Sequence, residues 1–122
     1  MYKWFKPHET ACKCGCGLNI MAKSTMTKLD RARDIAGFPV LIASACRCAV
    51  HNASVGGSHT SSHLADPECH AVDIVAITTQ TRRELIAALL NAGFNRIGIG
   101  KTFLHADDDP KKDTGAINIW FY

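Results

Sequence analysis

An acidic residue interrupts an apolar strand pattern in the second half of the chain. The segment from Ala71 to Val75 carries Asp73 among four apolar residues. A carboxylate removed from water is costly unless it is paired with a cation or bound to a metal ion. The fold must therefore bring a compensating partner to Asp73, and this requirement constrains what the chain can fold into.

The chain supplies two histidines at positions suited to this role. His63 lies in a serine-rich loop segment, and His105 lies in a short strand where side-chain alternation puts it on the same face as Asp107. Histidine and aspartate are ligands of zinc, and a catalytic zinc site takes three protein ligands and leaves a fourth position for water. The cluster of His63 with Asp73 and the cluster of His105 with Asp107 could therefore converge on one zinc ion. Four other histidines compete with these ligands: His8, His51, His59 and His70.

The remaining pattern alternates short strands with two helices, which predicts an α+β fold in a single domain spanning residues 1–122. The predicted helices are Thr25–Ala36 and Arg82–Ala92, since apolar residues recur there at helical spacing. Their predicted caps and stops are Ser24 and Gly37 for the first helix, and Thr81, Glu84 and Gly93 for the second. The predicted strands are Val40–Ser44, Ala71–Ile77, Arg96–Gly100, Phe103–Ala106 and Ile117–Phe121.

Six cysteines are many for a chain of 122 residues, and three interpretations stay open. An even number suits three disulfides in an oxidising compartment. Cys12, Cys14 and Cys16 alternate, so in an extended segment they would share one face, and Cys46 and Cys48 would do likewise. This arrangement allows a second metal site. C-x-C pairs lack the C-x2-4-C spacing of many structural zinc sites, however, which favours free thiols.

Charge and hydropathy argue against several classes of function. The net charge is only +3 and the basic residues are scattered, so we expect no nucleic-acid partner. No apolar stretch approaches the roughly 20 residues that cross a bilayer, so we expect no membrane insertion. The first residues lack the apolar run of a secretory signal. We expect a monomer that is made in the cytoplasm and reaches any outside substrate after release or as part of a virus particle.

Six motifs follow one another along the chain. They are Ser44-Ala45-Cys46-Arg47-Cys48, His51-Asn52, Val55-Gly56-Gly57, Ser61-Ser62-His63-Leu64, Ala71-Val72-Asp73-Ile74 and the segment from Gly98 to Asp107. In this order they resemble the M15 peptidases, which include zinc D-Ala-D-Ala carboxypeptidases and murein endopeptidases. The resemblance runs from Phe5 to Tyr122 and is closest to short, single-domain members from bacteriophages and prophages. It implies a hedgehog/DD-peptidase-like fold, with a small antiparallel sheet flanked by helices.

The resemblance also implies an activity, the hydrolysis of D-amino-acid-containing peptide bonds in the stem peptides of bacterial peptidoglycan. It assigns the zinc ligands to His63, Asp73 and His105. Zinc would activate a water molecule, a carboxylate would remove its proton, and Arg47 would bind the substrate carboxylate or stabilise the oxyanion. The residues predicted to bind substrate are Arg47, Ser61 and His70.

One departure from the family pattern lies between the first two ligands. Relatives usually have about seven residues from the first ligand to the aspartate, as in H-x-x-G-x-A-x-D, whereas His63 and Asp73 are ten apart. A longer loop can still place both ligands, because the entropy of loop closure grows slowly with length. The longer turn would bring Glu68 and His70 near the metal, where His70 could replace a ligand.

The second departure concerns the general base. Many relatives carry an acidic residue three positions before the last histidine, where this chain has Thr102. Asp107 is the nearest candidate, although it could instead orient a ligand, and Glu68 is a further candidate. The missing base also leaves an alternative open, in which the chain is a non-catalytic zinc-containing module that binds the cell wall or belongs to a phage structure.

Overall fold

A computed structural model describes residues 2–122 and shows a five-stranded sheet with four helices. The strands lie in the order β1-β2-β4-β3-β5, and every neighbouring pair is antiparallel except β3 with β5. The strands are β1 Ile42–Ser44, β2 Ala71–Val75, β3 Arg96–Ile99, β4 Phe103–Asp107 and β5 Asn118–Phe121. The helices are α1 Pro7–Thr10, α2 Lys23–Ala36, α3 Ala49–Ser54 and α4 Thr79–Ala92. The predicted α+β class is confirmed.

The sheet uses its two faces differently because strand side chains alternate. Val72 and Ile74 of β2 and Leu104 of β4 are fully buried in the core cluster, together with Leu29 of α2 and Leu89 of α4. The residues between them in sequence point to the other face of the sheet. The long helices therefore cover one face, and the opposite face is left for the polar residues.

The ends of the two long helices were predicted better than their beginnings. Both helices stop at a glycine with positive φ, Gly37 and Gly93, as expected. The first begins at Lys23 rather than Thr25, so Ser24 is inside the helix and not its cap. The second begins at Thr79, where the side chain of Thr78 accepts from the backbone of Thr81. The predicted cap at Thr81 is therefore wrong, since the true cap is three residues earlier.

The loop that follows β1 contains a short helix that the sequence did not predict. Six residues, Ala49–Ser54, form α3, and the four residues of α1 were missed for the same reason. Helices this short show too little periodicity to be detected. No helix in residues 2–122 has the length and hydropathy needed to cross a membrane.

The cysteines divide into one disulfide and a group of four. Cys46 and Cys69 are bonded, which closes a segment with a sequence separation of 23 residues. The other four cysteines, Cys12, Cys14, Cys16 and Cys48, are free. The alternation of Cys46 and Cys48 therefore does not put them in one site, because each has different sulfur neighbours.

Candidate metal centre

The three predicted ligands meet on the sheet face that the helices leave open. Asp73 of β2 lies directly opposite His105 of β4 in the antiparallel register. His63 comes from the loop before β2 and completes the group. Asp73 Oδ1 lies 3.1 Å from His63 Nε2 and 3.0 Å from His105 Nδ1. The structure thus brings the three side chains together, as the sequence predicts.

The second nitrogen of each imidazole ring is held by an acceptor. His63 Nδ1 lies 2.6 Å from the carbonyl oxygen of Ala45, and His105 Nε2 lies 2.7 Å from Asp107 Oδ2. A carbonyl or a carboxylate can only accept, so both of these nitrogens donate. Each ring therefore directs its remaining nitrogen toward Asp73, which is the arrangement that partners of metal-bound histidines usually impose.

The electrostatics of the group keep its carboxylates ionised. Burial raises the pKa of Asp73, but hydrogen bonds with His105 and His63 outweigh this effect and hold that pKa well below its usual value. Burial lowers the pKa of His105, yet its contacts with Asp107 and Asp73 leave that pKa raised. Burial also raises the pKa of Asp107, but His105 and Arg96 bring it below the ordinary value. Asp73 is therefore an anion available to bind a cation.

Arg47 stands beside the three ligands and is held by several partners. Its Nη2 lies 3.4 Å from Asp73 Oδ2, its Nη1 donates to Asn52 Oδ1 at 3.2 Å, and its Nε donates to Ser44 Oγ at 3.1 Å. Its backbone N–H also donates to the carbonyl oxygen of His63 at 2.9 Å. The guanidinium is therefore fixed in direction before any substrate binds.

An open cavity of about 330 Å³ surrounds this group. Three basic side chains line it, those of Arg47, Arg96 and Lys112, and the aromatic rings of Trp120 and Tyr122 form part of its wall. Cavities of this size are near the lower end of the range for small-molecule sites. The lining thus combines aromatic surface with charged side chains of both signs, since Asp73 and Asp107 also line the cavity.

Four residues of this site were missed by the sequence analysis. Arg96 donates to Asp107 Oδ1 at 2.8 Å, Asn52 holds Arg47, and the ring of Trp120 lies 5.6 Å from that of His105. Tyr122 completes the aromatic wall, with its ring 6.4 Å from that of His105. The signal for the aromatic pair was present, since residues two apart on a strand share one face.

Two predicted site residues lie elsewhere. Glu68 is exposed and His70 is partly buried, and both line a neighbouring cavity instead of the one around the three ligands. His70 Nδ1 lies 3.4 Å from Asp108 Oδ1. The long turn between the first two ligands therefore bulges away from the metal-binding group. Neither Glu68 nor His70 lines the cavity around the three ligands, so this geometry does not support the predicted roles of Glu68 as base and of His70 as a ligand or substrate contact. Ser61 borders both cavities.

The donor set fits a zinc ion. Two imidazole nitrogens and one carboxylate oxygen lie within 4.8 Å of one another, and all three side chains are largely buried. Tetrahedral coordination with bonds of 2.0–2.1 Å separates such ligand atoms by about 3.4 Å. The two distances of 3.0 and 3.1 Å from Asp73 Oδ1 need only a small expansion to reach this value. Two histidines and one carboxylate beside an open cavity are typical of hydrolases that use a single metal ion.

The comparison with protein families agrees with this class. Residues 3–107 match the family model described as Peptidase M15. The chain therefore belongs to the M15 peptidases, and the resemblance inferred from its motifs is confirmed. The match ends at Asp107, so the aromatic residues of β5 lie beyond the matched segment. The search of curated proteins gave no match.

Proposed function

We propose that this protein is a zinc peptidase that hydrolyses D-amino-acid-containing bonds in the stem peptides of peptidoglycan. The observation that carries the proposal is the convergence of His63, Asp73 and His105 beside an open cavity, in a chain of the M15 peptidase family. The basic lining of the cavity supports a substrate with a free carboxylate, as stem peptides have. We also propose that the protein acts as a monomer and meets this polymer after release from the producing cell or as part of a virion.

Arg47 would bind the carboxylate of the substrate or its developing oxyanion. The side chain borders the cavity, and its three side-chain contacts hold it in one orientation. A donor that is already oriented requires no rearrangement during the reaction, which is the main source of oxyanion stabilisation in enzymes. Ser61 borders the same cavity and would contact the peptide next to it.

Asp107 would act by positioning His105 rather than by removing a proton from water. One of its oxygens accepts from His105 Nε2, and the other accepts from Arg96 and from the backbone N–H of Asp109. The chemistry that zinc supplies at such a site is Lewis-acid activation of water and of the scissile carbonyl. Both oxygens of Asp107 already accept hydrogen bonds. Its carboxylate would therefore orient the ring of His105, so that Nδ1 of this ring faces the metal.

The engagement of Asp107 also favours a second candidate function. Within the lining formed by residues 2–122, Asp73 and Asp107 are the acidic residues at this cavity, and neither has an oxygen without a partner. A site without a free base suits a zinc-containing module that binds cell wall without cutting it. The two functions differ in whether fragments are released, which can be measured.

Metal analysis tests the site. Zinc per chain is measured in the wild type and in His63→Ala, Asp73→Ala and His105→Ala, with His70→Ala as the matched control. Each of the three variants should lose one zinc per chain relative to the wild type, and His70→Ala should lose none. Retention of all zinc in the three variants would overturn the proposal.

Hydrolysis is tested with the zinc-loaded wild type and purified peptidoglycan of several types, with mass spectrometry of the released fragments. Arg47→Ala should keep its zinc and lose roughly 10²- to 10³-fold in kcat, as is typical when an oxyanion donor is removed. Arg31→Ala is the matched control, because Arg31 is exposed on α2. If the zinc-loaded wild type releases no fragment from any type, the binding function is supported instead.

A further inference from the structure

The four free cysteines meet at one point outside the candidate metal centre. Cys12, Cys14 and Cys16 lie in the segment after α1, and Cys48 is the N-cap residue of α3. Cys12 Sγ lies 3.5 Å from Cys14 Sγ and 3.8 Å from Cys48 Sγ, and Cys14 Sγ lies 3.8 Å from Cys48 Sγ. All four sulfur atoms lie within 4.8 Å of one another.

These separations match the edge of a tetrahedron around a metal. With a Zn–S bond of about 2.3 Å, tetrahedral geometry puts neighbouring sulfur atoms about 3.8 Å apart. Three of the sulfur separations are 3.5, 3.8 and 3.8 Å, whereas a disulfide would need about 2.0 Å. Three sulfur atoms from two distant parts of the chain thus lie at tetrahedral separations, and the sulfur of Cys16 lies within 4.8 Å of them.

The backbone is shaped to produce this convergence. Gly15 and Gly17 both have positive φ, +87° and +84°, and no atom lies within 4 Å of where a β-carbon would be. Their conformation, and not a lack of space, therefore requires glycine. The segment turns instead of running extended, and this turn brings the alternating cysteines around a centre. The C-x-C spacing argues against the more common zinc-binding turns, which have C-x2-4-C spacing, but not against a site formed by this turn.

Backbone N–H groups point at two of the sulfur atoms. The N–H of Cys48 donates to Cys12 Sγ at 3.4 Å, and the N–H of His51 donates to Cys48 Sγ at 3.3 Å. Such contacts offset part of the negative charge of thiolates and orient them, as outer partners of metal ligands do. The sulfur atoms of Cys12 and Cys48 are therefore held in place before a metal arrives.

We propose that Cys12, Cys14, Cys16 and Cys48 bind a structural zinc ion with four thiolate ligands. Thiolates select soft metals, and a four-sulfur tetrahedron is typical of zinc and of iron–sulfur centres rather than of magnesium or calcium. Four protein ligands leave no open position, so this second ion has no part in hydrolysis. It fastens the segment after α1 to the start of α3, next to Arg47, and so supports the wall of the candidate active site.

Zinc per chain tests the site with a pair of exposed ligands. The double variant Cys14→Ser with Cys16→Ser replaces two exposed side chains, so the core is left unchanged. We expect two zinc ions per chain in the wild type and one in the double variant. Lys13→Ser, in the same turn, is the matched control and should keep two. His63→Ala should lose the other ion, so failure of one site is distinguishable from failure of the other.

Cobalt provides a second measurement that does not depend on any variant folding. Wild-type protein loaded with Co²⁺ at both sites should show intense thiolate-to-cobalt charge-transfer absorption, which two histidines and an aspartate cannot give. After removal of the metal under denaturing conditions, four thiols per chain should react with an alkylating reagent. A chain with no charge-transfer band, or with these cysteines oxidised to disulfides as purified, would overturn the proposal.

Discussion

Replacing Asp107 by asparagine separates a positioning residue from a general base. The carboxylate accepts from His105 at 2.7 Å and from Arg96 at 2.8 Å. An amide has only one oxygen, so one of these donors must face an NH₂ group. If the NH₂ group faces His105, the ring has to move its proton to Nδ1, the nitrogen that points at Asp73.

A proton on that nitrogen competes directly with the metal. Loss of such an outer partner typically costs 10- to 100-fold in metal affinity, which corresponds to about 1.4–2.7 kcal/mol. We therefore expect Asp107→Asn to weaken zinc binding by this factor. At saturating zinc, hydrolysis should recover most of its rate, since the substrate contacts of Arg47 are unchanged.

The assay is competition for zinc with a chromophoric chelator, followed by rate measurement at saturating zinc. Asp113→Asn is the matched control, because Asp113 is exposed and its carboxylate contacts Asn95 rather than a metal ligand. A variant with unchanged zinc affinity and a rate loss of roughly 10²- to 10⁴-fold would refute the reasoning. That outcome is the one expected for removal of a general base.

Two further predictions concern the surroundings of the site. Gly98→Ala should displace Trp120, because a β-carbon there would lie 2.8 Å from the indole nitrogen, so tryptophan emission should change while zinc content stays constant. An unchanged spectrum would contradict the packing. Burial raises the pKa of Asp108, but hydrogen bonds from Thr25 and Lys28 bring this pKa below its usual value. The ionised carboxylate therefore stabilises the fold at pH values above its unfolded-state pKa of about 3.9. This stabilisation is lost as the pH falls through the folded-state pKa. We expect Asp108→Asn to lower the free energy of unfolding by about 1–3 kcal/mol at neutral pH, with a smaller difference from the wild type below about pH 4. Urea unfolding of both proteins across this pH range measures the difference. A difference independent of pH would contradict the stabilising role of the Asp108 carboxylate.

The ligands were predictable because local rules determine their surroundings. Asp73 interrupts an apolar strand, and strand alternation puts His105 and Asp107 on one face, so the requirement for a partner and the means of supplying it are both visible in short segments. The position of Glu68 was not predictable in the same way. Whether a longer turn folds toward a metal or away from it depends on distant contacts, such as the pairing of Cys69 with Cys46.

The starts of the helices and the contacts of Asn52 likewise depend on distant contacts that short sequence segments do not reveal. Ser24 and Thr81 are good capping residues by type, but the choice among neighbouring polar residues depends on where the helix packs. Asn52 contributes to the site because its side chain accepts a hydrogen bond from Arg47 and because Gly57 lies close to it. A β-carbon at Gly57 would lie 2.2 Å from Asn52 Oδ1, so this glycine is required by a contact that the sequence does not reveal.

Arg47 is the residue on which these observations converge. Cys46 before it is tied by the disulfide to Cys69, at the far end of the ligand loop, and a loop with a separation of 23 residues makes such a bond worth about 3 kcal/mol. Cys48 after it belongs to the four-cysteine group, and the backbone N–H of Arg47 donates to the carbonyl oxygen of His63. Binding sites gain most when the supporting contacts restrict a side chain before the ligand arrives. The alternating cysteines on either side of Arg47 are therefore best understood as two separate supports for one functional side chain.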